Sequence, residues 1–148
     1  MRRSSLGAVA VTVALAVTAL AGACGSGDDD RARSLAREAC GNYEMLLQAD
    51  FGVPGDRDGI REQVVPALEE GAREAAQAAR LDSDWRELAQ GLSRTVEWAS
   101  VSLELADLKA GATPASDGTD ALQVRVLSLG DEINAHDPQV QCRKAQAS

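Results

Sequence analysis

The sequence is poor in aromatic residues and in positive charge. Its 148 residues carry 15 basic against 23 acidic side chains, a net charge of −8, and four aromatic residues: Tyr43, Phe51, Trp85 and Trp98. A net-acidic chain lacks the basic surface that nucleic acid phosphates require, and four rings are too few to form a stacking surface for single-stranded bases. We therefore expect no nucleic acid partner. The length allows one folded domain.

Residues for catalytic or metal chemistry are also scarce. His136 is the only histidine, near the end of the chain, and no nucleophile-elbow or other catalytic motif accompanies it. No closely spaced Cys or His pair indicates zinc, and Asp56-Arg57-Asp58-Gly59 fails as a calcium loop because Pro54 and Val65 fall at its end ligand positions. We predict no catalytic residue, no metal site and no enzyme. An enzyme of unknown type is the third alternative.

The longest uncharged run lies at the N-terminus. Arg2 and Arg3 precede an Ala-, Val- and Leu-rich stretch from Ser4 to Ala23, an order of charge and hydrophobicity typical of an export signal. Because the stretch is short and contains Gly, Ser and Thr, an uncleaved membrane anchor is the weaker interpretation. Residues 1–23 are therefore predicted to be a signal peptide that takes no part in the fold.

The end of this signal, Leu20-Ala21-Gly22-Ala23-Cys24, resembles the lipobox of bacterial lipoproteins. The resemblance implies a diacylglycerol thioether on Cys24, cleavage before it and acylation, for example by palmitate, of the new N-terminus. Several acyl chains hold a protein stably at a bilayer, whereas one binds only marginally. We expect a lipid anchor on the extracytoplasmic face of the cell membrane and no other cofactor. The same small residues also fit ordinary signal peptidase, which would release a soluble secreted protein.

The other two cysteines, Cys40 and Cys142, are an even number in an exported protein and are predicted to form a disulfide. The bridge would close a loop of about 100 residues, for which chain entropy predicts roughly 4–5 kcal/mol. Loss of the signal removes two arginines and leaves 13 basic against 23 acidic residues, a net charge of −10. An anionic membrane surface repels such a domain, so we expect the lipid alone to hold it there.

Four amphipathic helices are predicted in the mature chain. Residues 24–30 are interpreted as the lipidated cysteine with a flexible acidic tether, and apolar residues then recur at helical spacing from about 30 to 50, 58 to 81, 84 to 110 and 119 to 135. Pro66 predicts a kink or break after Val65. Asp84 and Glu87 are spaced as an acidic capping box, and Gly111 predicts the end of the third helix. The fourth segment also alternates as a strand would, but a lone strand would have no partner.

These segments predict an all-α fold, an antiparallel (up-down-up-down) four-helix bundle over residues 31–148. In that topology the first and last helices are neighbours, as a bridge from Cys40 to Cys142 requires. Asp137-Pro138 predicts a cap followed by proline at the first helical position, in a short turn that carries Cys142.

Small residues in the helices leave two alternatives for the core. One is close helix packing at the glycines that lie on or beside the apolar stripes: Gly71, Gly91 and Gly130. The other is an apolar pocket between the helices, lined by Tyr43, Trp85 and Trp98.

The expected function is a protein-interaction or accessory module of the cell envelope, with an envelope protein of unknown identity as its partner. The alternative is a small-ligand or metal-binding lipoprotein with a pocket in the bundle core. No family is recognised in residues 25–148.

Overall fold

The computed structural model describes residues 26–51, 53–111 and 117–147, and these are helical throughout most of their length. The long helices are α1 Ser26–Leu47, α3 Val65–Leu81, α4 Arg86–Gly111 and α5 Asp117–His136, followed by the short α6 Pro138–Gln146. Between α1 and α3 lie a 3-10 turn Pro54–Asp56, the three-residue α2 Arg57–Gly59 and a π-helical turn Ile60–Val64. No strand occurs in these ranges, which confirms the all-helical prediction. The predicted signal peptide and Cys24 lie outside the described residues.

The first helix begins earlier than predicted. It starts at Ser26 and includes Asp28, Asp29 and Asp30, which sequence analysis had assigned to a flexible tether. Carboxylates in a first turn interact favourably with the positive end of the helix dipole, so Asp28 and Asp29 stabilise the helix start. The helical domain therefore begins two residues after Cys24 in the sequence.

The irregularity caused by Pro66 lies just before Val65 rather than after it. The chain forms a π-helical turn over Ile60–Val64, in which the Val65 amide donates to the Ile60 carbonyl, and α3 then continues through Pro66. A proline in a regular helix clashes with the carbonyl four residues back, and the wider π turn accommodates the change of hydrogen bonding ahead of it.

The cap before α4 is Asp82, not the predicted Asp84. A 3-10 turn, Ser83–Trp85, leads into α4, and a carboxylate oxygen of Asp82 accepts a hydrogen bond of 2.9 Å from the Asp84 amide. The spacing in the sequence therefore identified the right helix but placed its cap two residues too late. The end of α4 at Gly111 is as predicted.

Small residues allow the helices to approach closely. α3 packs against both α1 and α4, and α5 packs against α4. A Cβ atom on Gly71 would lie 3.0 Å from the Ala39 carbonyl oxygen and 3.0 Å from Asn42 Cβ, so Gly71 sets the spacing of α1 and α3. The core between α1, α3 and α4 includes the fully buried Ala36, Ala39, Cys40, Leu68, Ala75, Leu88, Leu92 and Ala99.

The short helix α6 packs against α1 and α4. Asp137 has a left-handed backbone, φ 39°, and its carboxylate accepts a 3.0 Å hydrogen bond from the Val140 amide, while Pro138 opens the helix as predicted. Cys142 of α6 is bonded to Cys40 of α1, with their Cα atoms 5.4 Å apart. The predicted disulfide is thus present, and it joins the start and the end of the described chain.

Within the ranges that the structure describes, none of the helices combines the length and the apolar character needed to cross a membrane.

Candidate functional site

A groove of about 230 Å³ lies between α1, α4 and α5. It is lined by Tyr43 and Leu46 of α1, Thr95 and Trp98 of α4, and Gly130, Ile133 and Asn134 of α5. Tyr43 and Trp98, two of the three aromatic residues predicted to line a pocket, therefore meet in one place. The residues around them are largely apolar, which suits an apolar ligand or side chain.

The polar groups of the groove are neutral. The Thr95 hydroxyl donates a 2.8 Å hydrogen bond to the Gly91 carbonyl one turn back in α4. Burial raises the pKa of the Tyr43 hydroxyl above its ordinary value, and a hydrogen bond with Gln139 opposes that shift. Tyr43 is therefore an uncharged phenol at neutral pH. Its hydrogen bond is made to Gln139 of α6, which does not line the groove, so Asn134 is the polar side chain of the groove without a charge.

Gly130 leaves part of the groove empty. A Cβ atom built on Gly130 would meet nothing within 4 Å, although the residue lies well inside α5. Glycine in a helix interior costs about 1 kcal/mol relative to alanine. Close packing explains Gly91, where a Cβ would lie 3.1 Å from Pro138 Cγ, but it does not explain Gly130.

A network of charged side chains holds α5 on α4. Arg94 binds Glu97 at 3.2 Å and Glu132 at 2.9 Å, and Arg125 binds Glu132 at 3.5 Å and also pairs with Glu97. The hydrogen bond from Arg125 lowers the pKa of Glu97. Exposed ion pairs contribute little individually, but two arginines alternating with two carboxylates fix the contact between the helices. Glu132 and Arg125 lie on the side of α5 away from Gly130.

The outer surface of α5 carries the most exposed large apolar side chains in the described ranges. Val124 and Leu127 are 67% and 65% exposed. They are three residues apart, with the exposed Asp120 and Asp131 four residues before and after the pair, so the four share one helix face, the α5 strip. Scattered apolar residues are normal on a surface, but an adjacent pair beside an apolar groove indicates a binding surface.

The other tryptophan lies apart from the groove. Trp85 is 3% exposed and belongs to the core, with the Lys144 ammonium of α6 4.9 Å from its ring centre. Trp85 is therefore a core residue and does not line the groove. Trp98 is half-buried and packs edge to face against Phe51, with ring centres 5.2 Å apart.

His136 ends α5 and contacts α4. Its Nδ1 atom lies 2.7 Å from a carboxylate oxygen of Glu87, whose side chain is 55% exposed. Ser93 lines the same surface depression. Among the described residues no hydrogen bond joins that serine to His136, and an acid that orients a catalytic histidine is ordinarily buried. The pair is a surface contact between α4 and α5.

No metal centre is assembled in the described part of the chain. It contains no group of three or more His, Cys, Asp or Glu side chains positioned to hold an ion.

The binding surface on α5 includes residues that the sequence pattern did not indicate. The apolar periodicity of α5 indicated an inward face formed by Leu122, Val126, Leu129 and Ile133. The exposed Val124 and Leu127 lie on a different face of the helix, so the periodicity did not include them.

The chain matches no protein-family model, no curated protein and no solved structure.

Proposed function

We propose that this protein is a bacterial lipoprotein held by Cys24 at the extracytoplasmic face of the cell membrane, where it acts as a protein-interaction or accessory module of the envelope and not as an enzyme. The observation that carries the interaction role is the exposed apolar pair Val124 and Leu127 beside an open apolar groove. The disulfide between Cys40 and Cys142 supports an oxidising compartment, because cytosolic thiols are kept reduced.

The position of Cys24 supports this arrangement. Only Gly25 separates it from the first residue of α1, so an attached lipid would lie within about 7 Å of the helix start. Tyr43 is 17 residues further along α1, a distance of roughly 25 Å at 1.5 Å per residue. The groove would then face partners away from the bilayer while the acidic first turn lies near it.

Two measurements test the proposal. Cys24→Ser is expected to move the protein from the membrane fraction to the soluble fraction, with Gln77→Ser at an exposed position of α3 as the control that keeps both the lipid site and the disulfide. Retention of Cys24→Ser in the membrane would contradict the anchor. Chemical crosslinking on intact cells, followed by mass spectrometry, is expected to recover one recurrent envelope protein. Recovery of none, under conditions that crosslink a known envelope complex, would contradict the interaction role.

We further propose that α1, α3, α4 and α5 run up-down-up-down. Gly71 faces Ala39, and a shallow depression at the end of α1 brings Val64 near Met45, so numbers rise along α3 as they fall along α1. Arg125 with Glu97 and His136 with Glu87 support the same relation between α5 and α4. Spin labels at positions 48 and 120 should be about 20 Å closer together than labels at 34 and 120. Equal distances would contradict this order.

A small apolar ligand in the groove is the second candidate function. It is favoured by the 230 Å³ groove that Tyr43, Trp98 and Gly130 line, since bundles place ligands between facing helices. Indole is a suitable probe, because it is flat, apolar and carries one hydrogen-bond donor. Ligand binding would raise the melting temperature of the native protein but not that of Gly130→Leu, whose side chain occupies the groove. Equal shifts in both would place indole elsewhere.

A further inference from the structure

The groove is one part of a longer gap between α1 and α5. Along the row α1, α3, α4, α5 each helix packs against the next, whereas α1 and α5 make little direct contact in the described ranges. At one end of the gap α6 lies against α1, fixed by the bond between Cys142 and Cys40. Beyond α6 the groove is open to solvent.

Exposed apolar side chains extend the groove on both helices. Leu127 lies three residues before Gly130 on the same face of α5, and Leu47 lies four residues after Tyr43 on the same face of α1. Leu47 is 55% exposed. We call this combined surface the α1–α5 seam: Tyr43, Leu47, Trp98, Leu127 and Gly130.

The space beside Gly130 is open and forms part of the groove. Helices that pack side by side place large side chains of one into spaces between residues of the other. Gly130 provides such a space, and the rings of Tyr43 and Trp98 line the same groove. A large apolar side chain from outside the chain would fill it.

The α5 side of the seam is acidic, whereas Arg143 of α6 lines a depression with Tyr43 and Leu47 on the α1 side. Asp120 and Asp131 flank the apolar pair of the α5 strip, and neither forms an ion pair within the described ranges. Glu44, also exposed, is the neighbour of Tyr43 and accepts a hydrogen bond from Gln146. Two copies of the chain would bring the aspartates of both strips together, and an anionic bilayer would repel them. The α5 side of the seam is therefore complementary to basic side chains of a partner.

We propose that the α1–α5 seam binds one amphipathic helix of another envelope protein, which inserts a large apolar side chain at Gly130 and places Lys or Arg side chains near Asp120 and Asp131. An amphipathic helix is the element that fills a hydrophobic groove between helices, with anchors at helical spacing. The inference rests on the proposed interaction role and adds the surface and the chemistry of the partner.

The test uses full-length protein in the bacterium that produces it. Photoreactive benzoyl-phenylalanine replaces Leu127 in one strain and Gln77, an exposed residue of α3, in the control strain. We expect position 127, and not position 77, to crosslink to a single segment of one envelope protein. Mass spectrometry should show that segment to have apolar residues at helical spacing with basic residues beside them. Crosslinks from position 127 to a second copy, to lipid or to nothing would overturn the proposal.

Position 77 distinguishes a failure of the proposed seam from a failure of the proposed interaction role. A protein partner captured at position 77 but not at 127 would overturn the seam and leave the interaction role standing. No protein partner at either position, together with none from chemical crosslinking, would overturn both.

Variants at one glycine test the space beside Gly130 directly. Gly130→Leu fills the space from within α5 and is expected to lower the crosslink yield from position 127 roughly thirtyfold, the effect of losing a central contact. Gly41→Leu is the matched control, because Gly41 is an exposed helical glycine of α1 with equally open space, off the seam. Its yield should be unchanged. A normal yield from a Gly130→Leu protein whose melting temperature is equal or higher would overturn the proposal.

Asp120→Asn with Asp131→Asn tests the charge of the partner. Loss of two exposed ion pairs is expected to lower the yield roughly fivefold. A yield that rises instead would overturn the assignment of a basic partner.

Discussion

Removal of the disulfide between Cys40 and Cys142 should destabilise the domain strongly. The bonded residues are 102 positions apart, and in the chain-entropy model a loop of this length contributes roughly 4.7 kcal/mol by restricting the unfolded chain. For a domain of about 120 residues this corresponds to a fall in melting temperature of roughly 15–20 °C. The effect is large because the bridge ties α6, a helix of nine residues, to α1 at the other end of the described chain.

The assay compares three samples of the mature domain by thermal and urea unfolding: the oxidised protein, the same protein after reduction, and Cys40→Ala/Cys142→Ala. Reduction isolates the bond, whereas the double variant also removes two sulfur atoms from the core. After denaturation, titration of two more free thiols per chain than in the oxidised sample shows that reduction is complete. A loss below about 1 kcal/mol in the fully reduced sample would refute the reasoning, since the loop contributes several times that amount.

Three further predictions concern packing and titration. Trp85→Ala should lower the free energy of unfolding in urea by roughly 3–5 kcal/mol because the ring is buried, and Trp98→Ala by roughly half as much because that ring is half-buried. The reverse order of the two losses would contradict the placement of the rings. Gly130→Ala should raise the free energy of unfolding by about 1 kcal/mol, because the added Cβ would meet nothing within 4 Å. Gly71→Ala should lower it, because the added Cβ would lie 3.0 Å from neighbouring atoms. Stabilisation by both variants would contradict the packing. Burial raises the pKa of Glu74, so the folded state holds this proton more tightly than the unfolded chain, and stability falls as pH rises through the folded pKa. Glu74→Gln should therefore stabilise the protein at pH 7 and reduce the change in melting temperature between pH 4 and pH 7. An unchanged dependence of melting temperature on pH would contradict the shift.

The sequence was informative wherever one local rule decided the structure. Apolar spacing located α1, α3, α4 and α5, Gly111 ended α4, and Asp137 with Pro138 started α6. The pairing of Cys40 with Cys142 followed from an even count in an exported chain. In each case the signal is a residue type at a fixed position, which does not depend on how the helices pack.

Features that depend on competition between neighbouring rules were missed. Asp28 and Asp29 fit a solvated tether and also the acidic first turn of a helix, and the structure has them in the second role. Asp82 and Asp84 are both of a residue type that caps helices, and the 3-10 turn Ser83–Trp85, which contains Asp84, makes Asp82 the cap.

The groove was predictable only in outline. Tyr43 and Trp98 were identified as lining residues, but Trp85 is in the core because α6 lies against it. The open space at Gly130 depends on the gap between α1 and α5, which no periodicity in a single helix reports. Residues far apart in the chain define that gap, so it becomes visible only after the helices are placed together.

We propose above all that Cys24 carries a lipid that holds this helical domain at the outside of the cell membrane. The most direct measurement is the mass of the N-terminal peptide of the protein extracted in detergent from its own cells. We expect a peptide that begins at Cys24 and carries a diacylglycerol thioether with an acylated amine. A peptide that begins at Cys24 with a free thiol, or one that begins at Met1, would contradict it.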